Sequence, residues 1–153
     1  MKRCERCKTG KLEKTEALDS VEVGQHLFTA RVPALKCREC GELYFDGPSL
    51  ERFELRVAVE LARSGEATGD VMRFMRKAAG LRALELAELL GVTAETVSRW
   101  ETGRQPMEHR AMAVVGALVV ERFEGRTSTL DNLKALRSPK KLGRRVELSL
   151  AAS

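Results

Sequence analysis

Reactive chemistry in this chain concentrates on its four cysteines, which fall as Cys4-Glu5-Arg6-Cys7 and Cys37-Arg38-Glu39-Cys40. A C-x-x-C knuckle turns two thiolates toward one point, and two knuckles supply the four soft ligands of a closed tetrahedral site. The pattern predicts one structural Zn2+ on Cys4, Cys7, Cys37 and Cys40. Other uses of the same thiols fit less well. Disulfides need an oxidising compartment, and the opening residues MKRCERC carry no apolar signal core. A redox C-x-x-C sits in a βαβ setting and has no need of a matching second pair. A catalytic metal needs an open coordination position, which four cysteines close. Zinc here would fold a segment too small to build a full apolar core.

The remaining residues offer little for catalysis. For neither His26 nor His109 does the sequence identify an acid or nucleophile partner. With no nucleophile–base pair, glycine-rich phosphate loop or open metal site, the chain reads as a non-enzyme. Recognition chemistry resides instead in Leu81–Gly103, LRALELAELLGVTAETVSRWETG. Leu86, Ala87, Leu89 and Leu90 form the apolar side of a short helix ended by Gly91, where a left-handed backbone costs little. Thr93 caps a second helix, and Val92 and Val97 return to the core. Ala87, four residues before the glycine, lets the helices cross closely. This is the spacing of a helix-turn-helix, whose second helix enters the DNA major groove. With the continuation Ser98-Arg99-Trp100-Glu101-Thr102-Gly103, the stretch resembles the Xre/Cro-type helix-turn-helix family.

Departures from that family narrow the reading surface. Arg82 and Ala83 stand where a capping Thr or Ser followed by Gln is frequent, and Ala94 stands where a base-reading Gln is frequent. Glu95, Thr96, Ser98 and Arg99 are left as base-reading candidates. Arg99 leads, because guanidinium can hold guanine O6 and N7 with two bonds. Arg82, Thr93 and Arg104 are candidate phosphate contacts. Trp100, three residues after Val97, belongs to the core face.

Positioning these groups requires strands around the cysteines and helices around the motif. Between the knuckles, Lys11–Ala17 and Leu27–Val32 alternate as short strands, and Leu43-Tyr44-Phe45 follows the second knuckle. Residues 1–46 thus read as a small β zinc ribbon. A helix opening near Asp46 and Pro48, with Phe53, Val57 and Leu61 at helical spacing, connects it to the rest and packs on the ribbon. Ser64–Gly69 reads as a short linker, closing the connecting segment 47–69. Asp70 caps a helix bearing Val71, Phe74, Met75 and Ala78. Beyond the motif, Ala111–Val120 is apolar nearly all round and must bury more than one face. A second subunit is the natural cover, so a homodimer is expected. A last helix, capped by Thr127 or Ser128, completes a five-helix DNA-binding and dimerisation domain at 70–137. The fold class is α+β, a zinc ribbon joined by a helix to an all-α helix-turn-helix domain.

The tail 138–153 carries the basic run Ser138-Pro139-Lys140-Lys141-Leu142-Gly143-Arg144-Arg145, then Val146–Leu150, which could form a short strand. The run reads as a solvated tail, the alternative being an arm on phosphates. Composition allows both. In 153 residues the net charge is +5, with 32% charged and 43% hydrophobic side chains. Residues 111–153 hold 8 basic and 4 acidic side chains, against 9 and 8 in residues 1–46. The ribbon is thus the poorer phosphate binder. No apolar run is long enough to span a membrane, and a cytoplasmic protein is expected.

With Cys4, Cys7, Cys37 and Cys40 in front, the connecting helix, and SRWETG behind, the chain resembles the MqsA-type antitoxins, which join a YgiT-type zinc finger to an Xre-type domain. The resemblance covers roughly residues 1–122. It implies an N-terminal zinc domain that neutralises a cognate toxin, an RNA-cleaving enzyme. It also implies a C-terminal domain that dimerises on a palindromic operator in double-stranded DNA and represses its own operon. The alternative is a stand-alone zinc-finger and helix-turn-helix regulator without a toxin.

Overall fold

The structure, a computed structural model, describes residues 3–151. Its amino-terminal part is a three-stranded antiparallel sheet in the order β1(Leu12–Val23), β2(His26–Cys37), β3(Leu43–Phe45). The β1/β2 register runs unbroken from Leu12 opposite Cys37 to Val23 opposite His26, closed by the Gly24-Gln25 turn. The strands extend well beyond the alternating runs at 11–17 and 27–32. Two residues disguise β1: Leu18 is 69% exposed on the outer face, while the next residue, Asp19, is half-buried. In β2, Pro33 makes the strand appear to stop. It lies opposite Glu16, where β3, which pairs only with Ala34–Lys36, no longer covers β2.

Six helices follow: α1(Gly47–Ser64), α2(Gly69–Ala78), α3(Ala83–Leu90), α4(Ala94–Glu101), α5(His109–Phe123) and α6(Ser128–Arg137). Helix α1 starts where Asp46 accepts a hydrogen bond from the Ser49 amide at 3.0 Å, with Pro48 in the first turn. Its buried residues Val57, Ala58, Val59 and Leu61 face chiefly α5 and α2, with a smaller contact on β2. The helix is therefore part of the helical core rather than mainly a cover for the sheet. Between α1 and α2 the short connection turns at Gly65, φ 74°, and is tied at Ser64. The Ser64 hydroxyl donates to the Leu61 carbonyl at 2.7 Å and accepts from the Glu66 amide at 3.2 Å.

The cap of α2 is Thr68, whose hydroxyl accepts from the Val71 amide, and not Asp70. Gly69 takes the first helical position, so Asp70 lies within the first turn, where a carboxylate still favours the helix dipole. One apolar core runs through the molecule, from Val23 of the sheet, with Val21 and Phe28 against it, to Leu86, Val97, Trp100, Val115 and Val119. No helix is long and apolar enough to cross a membrane among the described residues.

Candidate metal centre and nucleic-acid interface

The two knuckles are built alike. In the first, the Lys8 amide donates to the Cys4 carbonyl at 3.0 Å and the Cys4 amide to the Gly10 carbonyl at 2.9 Å. In the second, the Gly41 amide donates to the Cys37 carbonyl at 3.1 Å and the Cys37 amide to the Glu42 carbonyl at 2.9 Å. The residue after each second cysteine is left-handed, Lys8 at φ 63° and Gly41 at φ 74°. The sheet register brings the knuckles together, because Leu12 and Cys37 are partners across β1 and β2.

All four sulfurs lie within 4.8 Å of one another. Cys4 and Cys40 Sγ are 3.5 Å apart, and Cys7 and Cys37 Sγ 3.7 Å. Both separations are far beyond a disulfide bond. They match the spacing of about 3.8 Å between sulfurs at about 2.3 Å from a shared tetrahedral ion. Donors surround the cluster. The Gly10 amide points at Cys7 Sγ at 3.2 Å, Thr9 Oγ1 donates to it at 3.6 Å, and Tyr44 Oη lies 3.2 Å from Cys4 Sγ. Tyr44 also accepts the Glu5 and Arg6 amides at 3.1 and 3.3 Å, pinning the first knuckle to β3.

Electrostatics tell the same story. The Thr9 hydroxyl and then the Gly10 amide pull the Cys7 thiol down to about 6. The Tyr44 hydroxyl lowers Cys4. Cys40 is pushed up to about 12, because desolvation and the Cys4, Cys37 and Cys7 sulfurs outweigh the pull of the Glu42 amide. Thiols this close cannot all ionise without a compensating cation. Donor set and spacing fit Zn2+, which would link the two knuckles in a closed shell.

Sequence reading missed Gly10 here. A Cβ at this position would lie 2.2 Å from Cys37 Sγ and 3.2 Å from Cys7 Sγ. Only glycine lets the chain pass the cluster, and its place three residues after Cys7 was the available signal. His26 lies apart from the cluster and pairs with Glu66 at 2.6 Å.

The second site is carried by α3 and α4. Gly91 adopts φ 69° at the end of α3, and the Val92 amide closes onto the Ala87 carbonyl at 3.0 Å. Ala87 is 1% exposed where the helices cross, and Leu86, Val97 and Trp100 are buried beside it. Thr93 caps α4, accepting the Thr96 amide at 3.1 Å, and its hydroxyl also meets that of Thr96 at 2.9 Å. Burial of Val97 and Trp100 leaves Glu95, Ser98 and Arg99 exposed on α4, with Thr96 half-buried. Arg99 Nη2 donates to Glu95 Oε1 at 2.5 Å, so the two pair with each other in the free chain. Arg82 precedes α3 with its side chain 81% exposed, its Nη2 donating to Glu85 Oε1 at 3.2 Å and its amide held by Glu85 Oε2 at 2.7 Å. That amide bond keeps the Glu85 carboxyl below its ordinary range. Arg104 is exposed past the end of α4.

Helix α4 is fastened from behind by groups the sequence did not reveal. Arg76 Nε and Nη2 donate to Glu101 Oε1 and Oε2 at 2.5 and 3.1 Å, and Arg76 Nη1 to the Leu81 carbonyl at 2.8 Å. Arg73 Nε adds a longer contact to Glu101 at 3.5 Å. Gly69 completes the clamp. A Cβ there would meet the Glu101 and Trp100 carbonyl oxygens at 2.5 and 2.7 Å. The pair spans 25 residues, so no local pattern signals it.

Fold and sites define a DNA-binding regulator of the helix-turn-helix kind that carries a candidate four-cysteine metal site. Residues 67–120 match the model of a family described as a helix-turn-helix domain. The match spans α2 to α4 and most of α5 and leaves the cysteine-bearing sheet outside. A comparison with curated proteins finds no match to the chain.

Proposed function

We propose that this chain is a sequence-specific DNA-binding repressor with one structural zinc ion, that it binds a palindromic operator as a homodimer, and that it serves as the antitoxin of a toxin–antitoxin pair. The observation that carries the DNA reading is the disposition of α4. Its apolar side, Val97 and Trp100, is clamped into the core, and Glu95, Ser98 and Arg99 are left on the side a helix-turn-helix turns to base edges. Arg99 reads guanine once its bond to Glu95 opens, and Glu95 is then free to accept from cytosine N4. Thr93, Arg82 and Arg104 flank this surface as phosphate contacts. Replacing Arg99 with Ala should cost about 1–3 kcal/mol and relax preference at one base pair, measured by titration on the operator. An unchanged profile removes Arg99 from the reading set.

Dimerisation is supported by a groove of about 550 Å³ between α1 and α5, lined by Leu61, Ala62, Met112, Ala113, Gly116 and Ala117. The antitoxin role is supported by the combination of ribbon and helix-turn-helix, and by the character of β1. That strand carries Glu13, Glu16, Asp19 and Glu22 against one lysine, Lys14. Among the described residues its only partner strand is β2, and Leu18 and Leu27 are 69% and 61% exposed. An unpaired acidic edge suits a basic partner that adds a strand. Mixing the full chain with the product of the adjacent gene should give a stoichiometric complex and suppress RNA cleavage. Absence of a complex leaves the stand-alone regulator.

A further inference from the structure

The basic tail has a placement that sequence alone did not give it. Helix α6 packs against α5 and α3 with no buried residue of its own. Arg137, its last residue, donates to Glu88 of α3 at 3.2 Å. Ser138, the next residue, shares a groove with Leu81, Glu85 and Glu88. Glu85 is the residue that holds the Arg82 amide at the start of α3. The chain therefore leaves the fold alongside α3, on the face that carries Glu85 and Glu88, and α3 is the helix that a helix-turn-helix lays across the DNA backbone. Ser138 ends α6 at φ −132° and ψ 71°, outside the helical region, and Pro139 cannot continue the helix.

Just beyond this exit the chain carries a cluster of cations that the fold does not engage. Lys140, Lys141, Arg144 and Arg145 are all exposed, and no ion pair or hydrogen bond among the described residues uses their side chains. Seven residues from Pro139 to Arg145 reach up to roughly 23 Å when extended. That is enough to pass several phosphates of one strand, which rise about 3.4 Å apiece along the duplex axis.

Resting on the DNA-binding reading above, we propose that residues 139–145 are a basic arm that grips DNA phosphates flanking the site read by α4, adding affinity without base preference. Short basic segments appended to helix-turn-helix domains can use this geometry, since phosphate contacts require charge and reach rather than a fixed fold.

The test is the salt dependence of operator binding by the full zinc-loaded chain and by the variant Lys140→Gln/Lys141→Gln/Arg144→Gln/Arg145→Gln. Each phosphate contact contributes about 0.9 to the slope of log K against log [salt]. Per subunit bound, the variant's slope should be shallower by about 3.6 if all four cations engage and by about 1.8 if half do, and by about twice as much for a dimer with both arms on the operator. Sequence preference should stay unchanged. Neutralising Lys14 and Arg31 on the exposed side of the sheet should leave the slope as it was, separating a local arm from net charge. An unchanged slope in the arm variant, or an equal change in the sheet variant, overturns the arm. If the unaltered chain shows no preference for any duplex, the DNA-binding reading itself fails, and that outcome is distinct.

Discussion

Replacing Glu101 with Gln should be among the most damaging single changes to the helical core. The carboxylate side chain is 5% exposed and that of Arg76 is 9% exposed. Gln keeps the shape but removes the counter-charge, leaving a buried guanidinium with one certain acceptor, the Leu81 carbonyl at 2.8 Å. Arg73, 3.5 Å from Glu101 in the intact chain, then adds like charge rather than sharing a carboxylate. Breaking a buried pair from one side costs about 3–5 kcal/mol. In a chain of this size that lowers the melting temperature by roughly 10 °C. Trp100 is the only tryptophan, is 3% exposed and neighbours the pair, so urea unfolding followed by its fluorescence reports directly on the clamp. The double variant Arg76→Met/Glu101→Leu should recover most of the loss, because a packed apolar pair is often no worse than a buried ion pair. A loss under about 1 kcal/mol for Glu101→Gln alone would refute the view that this pair fixes α4.

Two further substitutions probe close approaches. Gly69→Ala should destabilise the helical core by about 1–3 kcal/mol in the same urea assay despite alanine's better helix propensity, because the added methyl meets backbone oxygens of α4 that cannot rotate away. Gly10→Ala should weaken zinc binding by roughly 10–100-fold in a chelator competition, since its Cβ falls on Cys37 Sγ. Removing zinc from the unaltered chain should expose the sheet to proteolysis while Trp100 fluorescence stays native, because the helical core retains its own buried residues.

The two features most legible in the sequence were those with local spacing. The Ala87-Gly91-Val97 interval encodes a crossing, a left-handed turn and a buried face within eleven residues, and the structure places each as expected. The paired C-x-x-C knuckles likewise announce a four-sulfur cluster, which the antiparallel hairpin closes. Features that depend on distant partners were not legible. Nothing near Glu101 names Arg76, and the Gly69 contact exists only after α2 meets α4. The packing of α1 was misjudged because an amphipathic pattern says that a face is buried but not what buries it. The hairpin was read too short because Leu18 outside, Asp19 inside and Pro33 in β2 each break the rule that alternation relies on.

The central claim is that α4 reads bases in duplex DNA, and the most direct measurement is selection from a random duplex pool by the full zinc-loaded chain. The account predicts enrichment of one motif with two half-sites about 10 base pairs apart, one per subunit. The enriched duplex should bind at least roughly 10³-fold tighter than unselected DNA. Recovery of a pool as random as the starting one would contradict it.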